Sequence, residues 1–414
     1  MGRISVLIPL CLLLIAFDFY FYKAVLAVFK KWKPGTKRTF GILWWTYNLT
    51  LIAGVFAGIY LNLFLTLRAI ILVAFFLTAG SKLVMLPFLL IDDLRRLVIS
   101  IFRKNRQPTV AAAAVAEPIS RSEFLIKAGI VAAAVPLTSL SWGIISGAYD
   151  YQVRHVDLVL PNLPKAFNGI RMGQISDIHS GSFYNPKAVK GGIEMLLAQK
   201  PDFIFFTGDL VNDMATEMRD YQDIFTRVKA PLGVFSTLGN HDYGDYHFGK
   251  GSSPAKAKNL KDVIATHKLM GYDLLMNENR RLKVDGAEIG ILGIENWGMG
   301  RFPKYGRMDL AVQNTDDLPV KLLLSHDPSH WRAEVLPKYP QIDAMFSGHT
   351  HGMQFGVRTE KYQWSPVEYI YKEWAGMYTE NKQQLYVNVG YGFLGYPGRV
   401  GILPEITIFT LKNA

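Results

Sequence analysis

Four apolar segments constrain this chain most: Ile4 to Phe29, Gly41 to Leu61, Ala69 to Ile91 and Phe124 to Ala148. Each is close to the ~20 residues a helix needs to cross a bilayer, where backbone polar groups must be satisfied within the segment. They predict four transmembrane helices. No small-residue cleavage site precedes the basic run after the first segment, and further apolar spans follow, so it reads as an uncleaved anchor rather than a secretory signal. Asp18, in the aromatic run "FDFYFY", reads as an interfacial residue of this helix.

Basic residues set the expected orientation. "KKWKPGTKR" (Lys30 to Arg38) follows the first segment and "RRLVISIFRKNR" (Arg95 to Arg106) the third, whereas the turn between the second and third carries only Arg68. By the positive-inside rule both basic loops are cytoplasmic, and the domain from about Asp150 onward is extracytoplasmic. Ten basic residues in these loops account for much of the net charge of +11. The charge therefore argues for a lipid bilayer as partner and not for nucleic acid.

The single cysteine, Cys11, lies in the first helix, which leaves the soluble part without disulfides or thiolate metal sites. "QPTVAAAAVAEP" (Gln107 to Pro118) reads as a low-complexity linker. "SRSEFLIKAGIVAAAVP" (Ser120 to Pro136) looks like the start of a twin-arginine signal, with Ser122 where a second arginine would stand, and reads equally as a membrane helix with a basic flank. The expected organisation is three transmembrane helices over 1–106, a linker over 107–123, a fourth helix over 124–148 and a soluble domain over 150–414.

Beyond Asp150 short β-branched or aromatic runs alternate with amphipathic stretches, the pattern of an α/β sandwich. "GIRMGQISDIH", "DFIFFTGDL", "GVFSTLGNHD", "KLLLSHDP" and "IDAMFSGHT" read as strands. "NPKAVKGGIEMLLAQK", with Asn185 as N-cap, "TEMRDYQDIFTRV" and "KAKNLKDVIATHKLMG" read as helices. "QLYVNVGYGF" and "PEITIFTLK" read as strands that close a second sheet by antiparallel pairing.

Polar residues recur just after these strands, where open α/β sheets place their sites. They are Asp177 and His179, Asp209, Asn240 and His241, His326, and His349 and His351. In an extended segment alternate side chains face the same way, so His349 and His351, or Asp177 and His179, can address one cluster, while Asn240 and His241 diverge. Nitrogen and oxygen donors without sulfur suit manganese, iron or zinc. Two such ions sharing one carboxylate suit hydrolysis at phosphorus or at a carbonyl.

Each motif alone is commonplace: Gly-Asp after a strand is an ordinary turn, and a lone Asp-x-His is more often a satisfied histidine. All five in order, "SDIH", "TGDLVN", "GNHDY", "SHDP" and "GHTHG", resemble the calcineurin-like metallophosphoesterases over about Gly169 to Lys412. The ending "GYGFLGYPGRVGILPEIT" is similar to that of membrane-anchored bacterial members that hydrolyse UDP-2,3-diacylglucosamine. The resemblance implies an αββα sandwich of two mixed sheets flanked by helices, and two divalent ions, manganese ahead of iron or zinc. Asp177, His179 and His351 would hold one ion and Asn240, His326 and His349 the other, with Asp209 bridging and His241 as general acid.

The implied reaction is in-line attack on phosphorus by a hydroxide between the metals, on phosphoester or pyrophosphate bonds that include lipid-linked ones. The implied location is the bacterial inner membrane. Arg399 could meet a substrate phosphate through its fork of donors, and His247, in the loop "DYGDYHFGKGSS", could belong to a lid over the substrate. His155 and His267 read as surface histidines. The rival class is a non-catalytic membrane sensor or transport-associated protein whose soluble domain binds a phosphorylated ligand.

Overall fold

The structure, a computed structural model, describes residues 2–60, 65–104, 120–300 and 302–414. The linker expected over Gln107 to Pro118 and the side chain of Cys11 lie outside the described residues. The chain divides into two compact units, Met1–Ser141 and Trp142–Ala414.

The apolar segments are helical: α1 (Gly2–Val28), α2 (Pro34–Tyr60), α3 (Leu65–Lys104) and α4 (Glu123–Ile145). Among the described residues, three stretches combine the length and hydropathy of a membrane span: Pro34–Ala57, Ile70–Phe102 and Glu123–Ile145. The protein is a membrane protein. Within the first unit Asp18 is not interfacial. It is buried, and Lys82 of α3 pairs with its carboxylate and also donates to the side-chain oxygen of Asn48 on α2. Unpaired charge inside a membrane bundle is costly, so mutual neutralisation across three helices replaces the exposure expected of an aspartate.

In the second unit the strands are β1 (Gln152–Val159), β2 (Arg171–Ile175), β3 (Phe203–Phe206), β4 (Val234–Ser236), β5 (Asp273–Leu274), β6 (Glu278–Val284) and β7 (Ala287–Gly293). They continue with β8 (Lys321–Leu324), β9 (Ala344–Ser347), β10 (Val357–Arg358), β11 (Gln363–Trp364), β12 (Gly376–Glu380), β13 (Gln383–Val387) and β14 (Glu405–Lys412). Among the described residues two six-stranded mixed sheets form, in the orders β1-β14-β2-β3-β4-β5 and β12-β13-β9-β8-β7-β6, beside a small β10-β11 hairpin.

The wholly apolar strands explain the layering, because a strand buried on both faces feeds two cores. Phe203 and Phe205 of β3, with Leu322, Leu324 and Phe346, fill the space between the sheets. Their neighbours Ile204 and Phe206 face the core under the helices of the first sheet, and Leu323 and Met345 face that outside the second. Phe205 meets Phe346 edge to face at 5.2 Å between ring centroids. The flanking helices of the first sheet include α5 (Pro186–Ala198), where the Asn185 side chain accepts the Ala188 N–H at 3.1 Å, as an N-cap should.

Two local expectations fail. "TEMRDYQDIFTRV" is a 3-10 turn (Ala215–Met218) and a single turn of helix, α6 (Gln222–Phe225). Glu217 turns back to accept the N–H groups of Asn212, Asp213 and Met214, which ties the segment to the preceding loop instead of extending a helix. The last strand, β14, does not close the second sheet. It lies in the first, parallel to β1 and antiparallel to β2, whereas β13 joins β9 in parallel. The short helix α7 (Asp245–Phe248) and the longer α8 (Pro254–Met270) complete the part of the fold that borders the site.

Candidate metal centre

β2, β3 and β4 run parallel in one sheet, as do β8 and β9 in the other, so the loops after them leave in a common direction within each sheet. The loops bring the predicted residues together, but not by strand alternation. Asp177, His179, Asp209, His349 and His351 all take left-handed backbone angles, with φ of 52°, 47°, 58°, 72° and 51°. Such angles cost non-glycine residues free energy and cluster where a site is held under constraint. Each chain curls as it leaves its strand, so neighbouring residues can point into different pockets. Asn240 is right-handed and opens a 3-10 turn at His241, which separates that pair.

Gly348 shows how close the loops approach. A Cβ there would stand 2.0 Å from Ser176 Oγ and 2.1 Å from Asp177 Oδ2.

Two groups of donor atoms result, Asp177 with His179 and His351, and Asp209 with His326 and His349. His351 Nε2 is 3.2 Å from Asp177 Oδ1 and 3.1 Å from His179 Nε2. In the other group His326 Nε2 is 3.3 Å from His349 Nδ1. One oxygen joins the groups: Asp209 Oδ2 lies 3.1 Å from His326 Nε2 and 3.5 Å from His179 Nε2. Asn240 Oδ1 is buried without a hydrogen-bond partner, a cost that a coordinated cation would remove.

Backbone carbonyls fix two imidazole tautomers. His326 Nδ1 is 2.7 Å from the Thr207 carbonyl and His241 Nδ1 2.7 Å from that of Asn212. A carbonyl only accepts, so both Nδ1 atoms carry hydrogen, and Nε2 of His326 is left for a metal.

Burial would raise the Asp177 and Asp209 carboxyls, but His351 beside the first and His326 beside the second outweigh it and keep both charged. Burial likewise opposes charge on His326, yet Asp209 raises it to about 10. Buried anions among imidazoles that protons must otherwise neutralise form a cation site.

Residues 170–353 match the family model described as calcineurin-like phosphoesterase, and residues 2–148 that described as probable calcineurin-like phosphoesterase, transmembrane domain. Over 257 residues the chain is 30% identical to the uncharacterized metallophosphoesterase YkuE of Bacillus subtilis, an alignment covering 61% of this chain and 82% of that protein. The chain belongs to the calcineurin-like metallophosphoesterases. It is a metal-dependent hydrolase of phosphoric esters, and membership implies divalent metal ions, which the buried carboxylate and imidazole groups suit.

Two further relatives of this phosphoesterase are the phosphodiesterase YaeI of Escherichia coli, 26% identical over 57% of this chain and 80% of that protein, and LpxG of Chlamydia trachomatis. The latter, a UDP-2,3-diacylglucosamine pyrophosphatase, is 28% identical over 56% of this chain and 81% of its own length.

Two other expectations for the phosphoesterase domain need revision, those for Arg399 and His267. Arg399 is buried, and its guanidinium donates to the carbonyls of Val389 (2.8 Å), Gly392 and Ile402 (3.3 Å). Those carbonyls occupy its donor fork, so it braces a loop and does not reach out to substrate. His247 is exposed on α7, against the ring of Phe248, and belongs to neither donor group. His267 is buried rather than at the surface, with Nδ1 3.0 Å from Ser236 Oγ.

Sequence reasoning missed two supports. Asp242 accepts four backbone N–H groups from the Asp209 and Asn240 loops, and burial, then the Asp209 carboxylate, pushes its pKa up to about 7. Its place inside "GNHDY" was the available signal. Tyr371, whose hydroxyl is 2.7 Å from His349 Nε2, lies in no motif.

Proposed function

We propose that this phosphoesterase binds two divalent ions, manganese ahead of iron or zinc, and hydrolyses phosphoester or pyrophosphate bonds of lipid-linked substrates at the extracytoplasmic face of a bacterial cell membrane. Asp177, His179 and His351 would hold one ion, Asn240, His326 and His349 the other, and Asp209 both. The observation that carries this reading is the position of Asp209 Oδ2, within 3.5 Å of a nitrogen in each group. The unpartnered Asn240 oxygen and the sulfur-free donor set support it.

Bound ions would neutralise phosphate oxygens and lower the pKa of water toward about 7. The protein's own part is proton transfer and orientation. With Nδ1–H tied to the Asn212 carbonyl, His241 can carry a proton on Nε2 for the leaving oxygen. Its ring is kept in place edge-on to His179 and stacked on Tyr246, at 4.9 and 4.5 Å between centroids.

The membrane unit supports a lipid-linked substrate, because an enzyme confined to a bilayer meets ligands confined there. The relative that cleaves UDP-2,3-diacylglucosamine supports the same chemical class, phosphorus bonds on an acylated carrier. The basic loops support the orientation.

The test is a panel assayed with the full-length protein and manganese: phospholipids, UDP-linked acyl sugars and soluble diesters. The acylated compounds should exceed their soluble counterparts in kcat/KM by about tenfold or more. Equal turnover would overturn the lipid reading, and metal binding without turnover of any ester would overturn the catalytic one.

A further inference from the structure

The segment from Gly352 to Tyr371 leaves one group of metal-type donors and returns to the other. It starts directly after His351 and ends where the Tyr371 hydroxyl meets His349. Between these points it carries the rest of the 3-10 turn His351–Gln354, the β10-β11 hairpin and a further 3-10 turn, Pro366–Tyr369. Its inward side is pinned: the Gln354 amide donates to the carbonyls of Tyr396 (2.8 Å) and Gly398 (3.0 Å), and the Ser365 hydroxyl to that of Gly352 (2.7 Å).

Its outward side is apolar and open. Met353, Phe355, Val357, Tyr362, Tyr369 and Ile370 are exposed, and Tyr369 and Ile370 reach 77% and 66%. Among the described residues of the Trp142–Ala414 unit, these are six of the sixteen large exposed hydrophobic side chains, gathered within eighteen positions. Scattered exposed apolar residues need no explanation, but a concentration of them marks a contact surface.

The segment's attachments indicate what it contacts. Gly356 donates to the Val400 carbonyl at 2.9 Å, Val400 to that of Gln354 at 2.8 Å, and Arg399 to that of Gly143 at 3.2 Å. Gly143 lies in the last turn of α4, a helix of membrane-spanning length and hydropathy, between Trp142 and Ile145, which are themselves exposed. The backbones approach so closely that a Cβ on Gly398 would lie 2.8 Å from the Gly143 carbonyl carbon. The apolar segment is thus bonded, through one intervening loop, to the point where a membrane helix ends. Tyr362, Trp364 and Tyr369, with Lys361 inside the segment and Lys372 directly after it, also match the composition of a membrane interface.

We infer that Gly352–Tyr371 is an interfacial lip that rests in the headgroup region of the bilayer, so that a lipid-borne phosphoester reaches the metal centre while its chains stay in the membrane. This inference rests on the lipid-linked reading of the site for its substrate, but not for its contact with lipid.

Full-length protein with Cys11→Ser and one new cysteine, Tyr369→Cys or, as an aqueous reference on α8, Leu269→Cys, is labelled with bimane. It is then reconstituted in phosphatidylcholine–phosphatidylglycerol vesicles. Lipid carrying a nitroxide near its headgroup should quench the Tyr369 label about threefold more than the Leu269 label. Equal quenching overturns the lip.

In a second arm, Phe355→Ser, Val357→Ser and Ile370→Ser are combined. Hydrolysis of a vesicle-borne phosphodiester should fall about tenfold, with bis(p-nitrophenyl) phosphate turnover and metal content unchanged; undiminished turnover on vesicles overturns the delivery role. Should the triple variant fail to fold, the labels still decide. A quenched Tyr369 label in an enzyme that turns over no lipid ester keeps the lip and discards the lipid-linked substrate. Turnover of lipid with an unquenched label does the reverse.

Discussion

The carboxylate of Asp242 accepts the backbone N–H of Asp209 at 3.0 Å, and with it those of Leu210, Val211 and Gly239. One buried side chain thereby sets the loop after β3 against the loop after β4. Each donor left without a partner costs roughly 1–3 kcal/mol. Asp242→Ala should therefore lower the thermal midpoint by about 5–10 °C and reduce bound metal. Asp242→Asn, which keeps one acceptor oxygen, should recover part of both. Metal analysis beside thermal unfolding checks this, and an Asp242→Ala protein with full metal content would remove Asp242 from its proposed role.

Gly348 tests the closeness of the loops. The Cβ of Gly348→Ala would lie 2.0 Å from Ser176 Oγ and 2.1 Å from Asp177 Oδ2, so the loop must shift at the head of "GHTHG". Because the core strands are untouched, the variant should keep its fold and lose metal. Unaltered metal content with unaltered activity would show that the loop yields without consequence.

Asp209 and His241 should separate binding from turnover. Asp209→Ala removes the oxygen between the two donor groups and should lose both metal and activity. His241 belongs to neither group, so His241→Ala should keep its metal and lose about 10²–10⁴-fold in kcat, the range for a positioned proton donor. Metal content measured beside hydrolysis of a chromogenic phosphodiester distinguishes the two. An active, metal-free Asp209→Ala protein would defeat the assignment.

What the sequence disclosed was local, and what it hid was not. Apolar runs long enough for a bilayer predicted helices where α1 to α4 lie, and four of the five short motifs named every residue of the two donor groups. The reason those residues converge is not legible there, because the left-handed angles at Asp177, His179, Asp209, His349 and His351 are set by the surrounding loops and leave no period in the sequence. The sheet that accepts β14 depends on partners more than two hundred residues away at β1 and β2. Arg399 looked available for substrate because its carbonyl partners lie in a loop whose path no motif predicts. Asp18 looked interfacial because its partner, Lys82, is 64 positions distant.

His267 gives the domain a pH dependence separate from the metal centre. Its ring is buried between Phe206 and Tyr272, with centroids 5.7 and 6.2 Å away, and Nε2 has no partner. Burial lowers its pKa to about 3. Between an unfolded value of about 6.5 and that folded value, the unfolded chain takes up a proton that the folded domain refuses. Its own contribution to stability is therefore fully present above about pH 6.5 and falls on acidification by up to about 1.4 kcal/mol per pH unit until the folded value is reached. His267→Gln removes this group, while acid effects on the metal ligands act on both proteins alike. The difference in unfolding free energy between wild type and variant should shift against the wild type by about 2 kcal/mol between pH 7 and 5. A difference that stays constant with pH would mean that His267 is protonated in the folded domain.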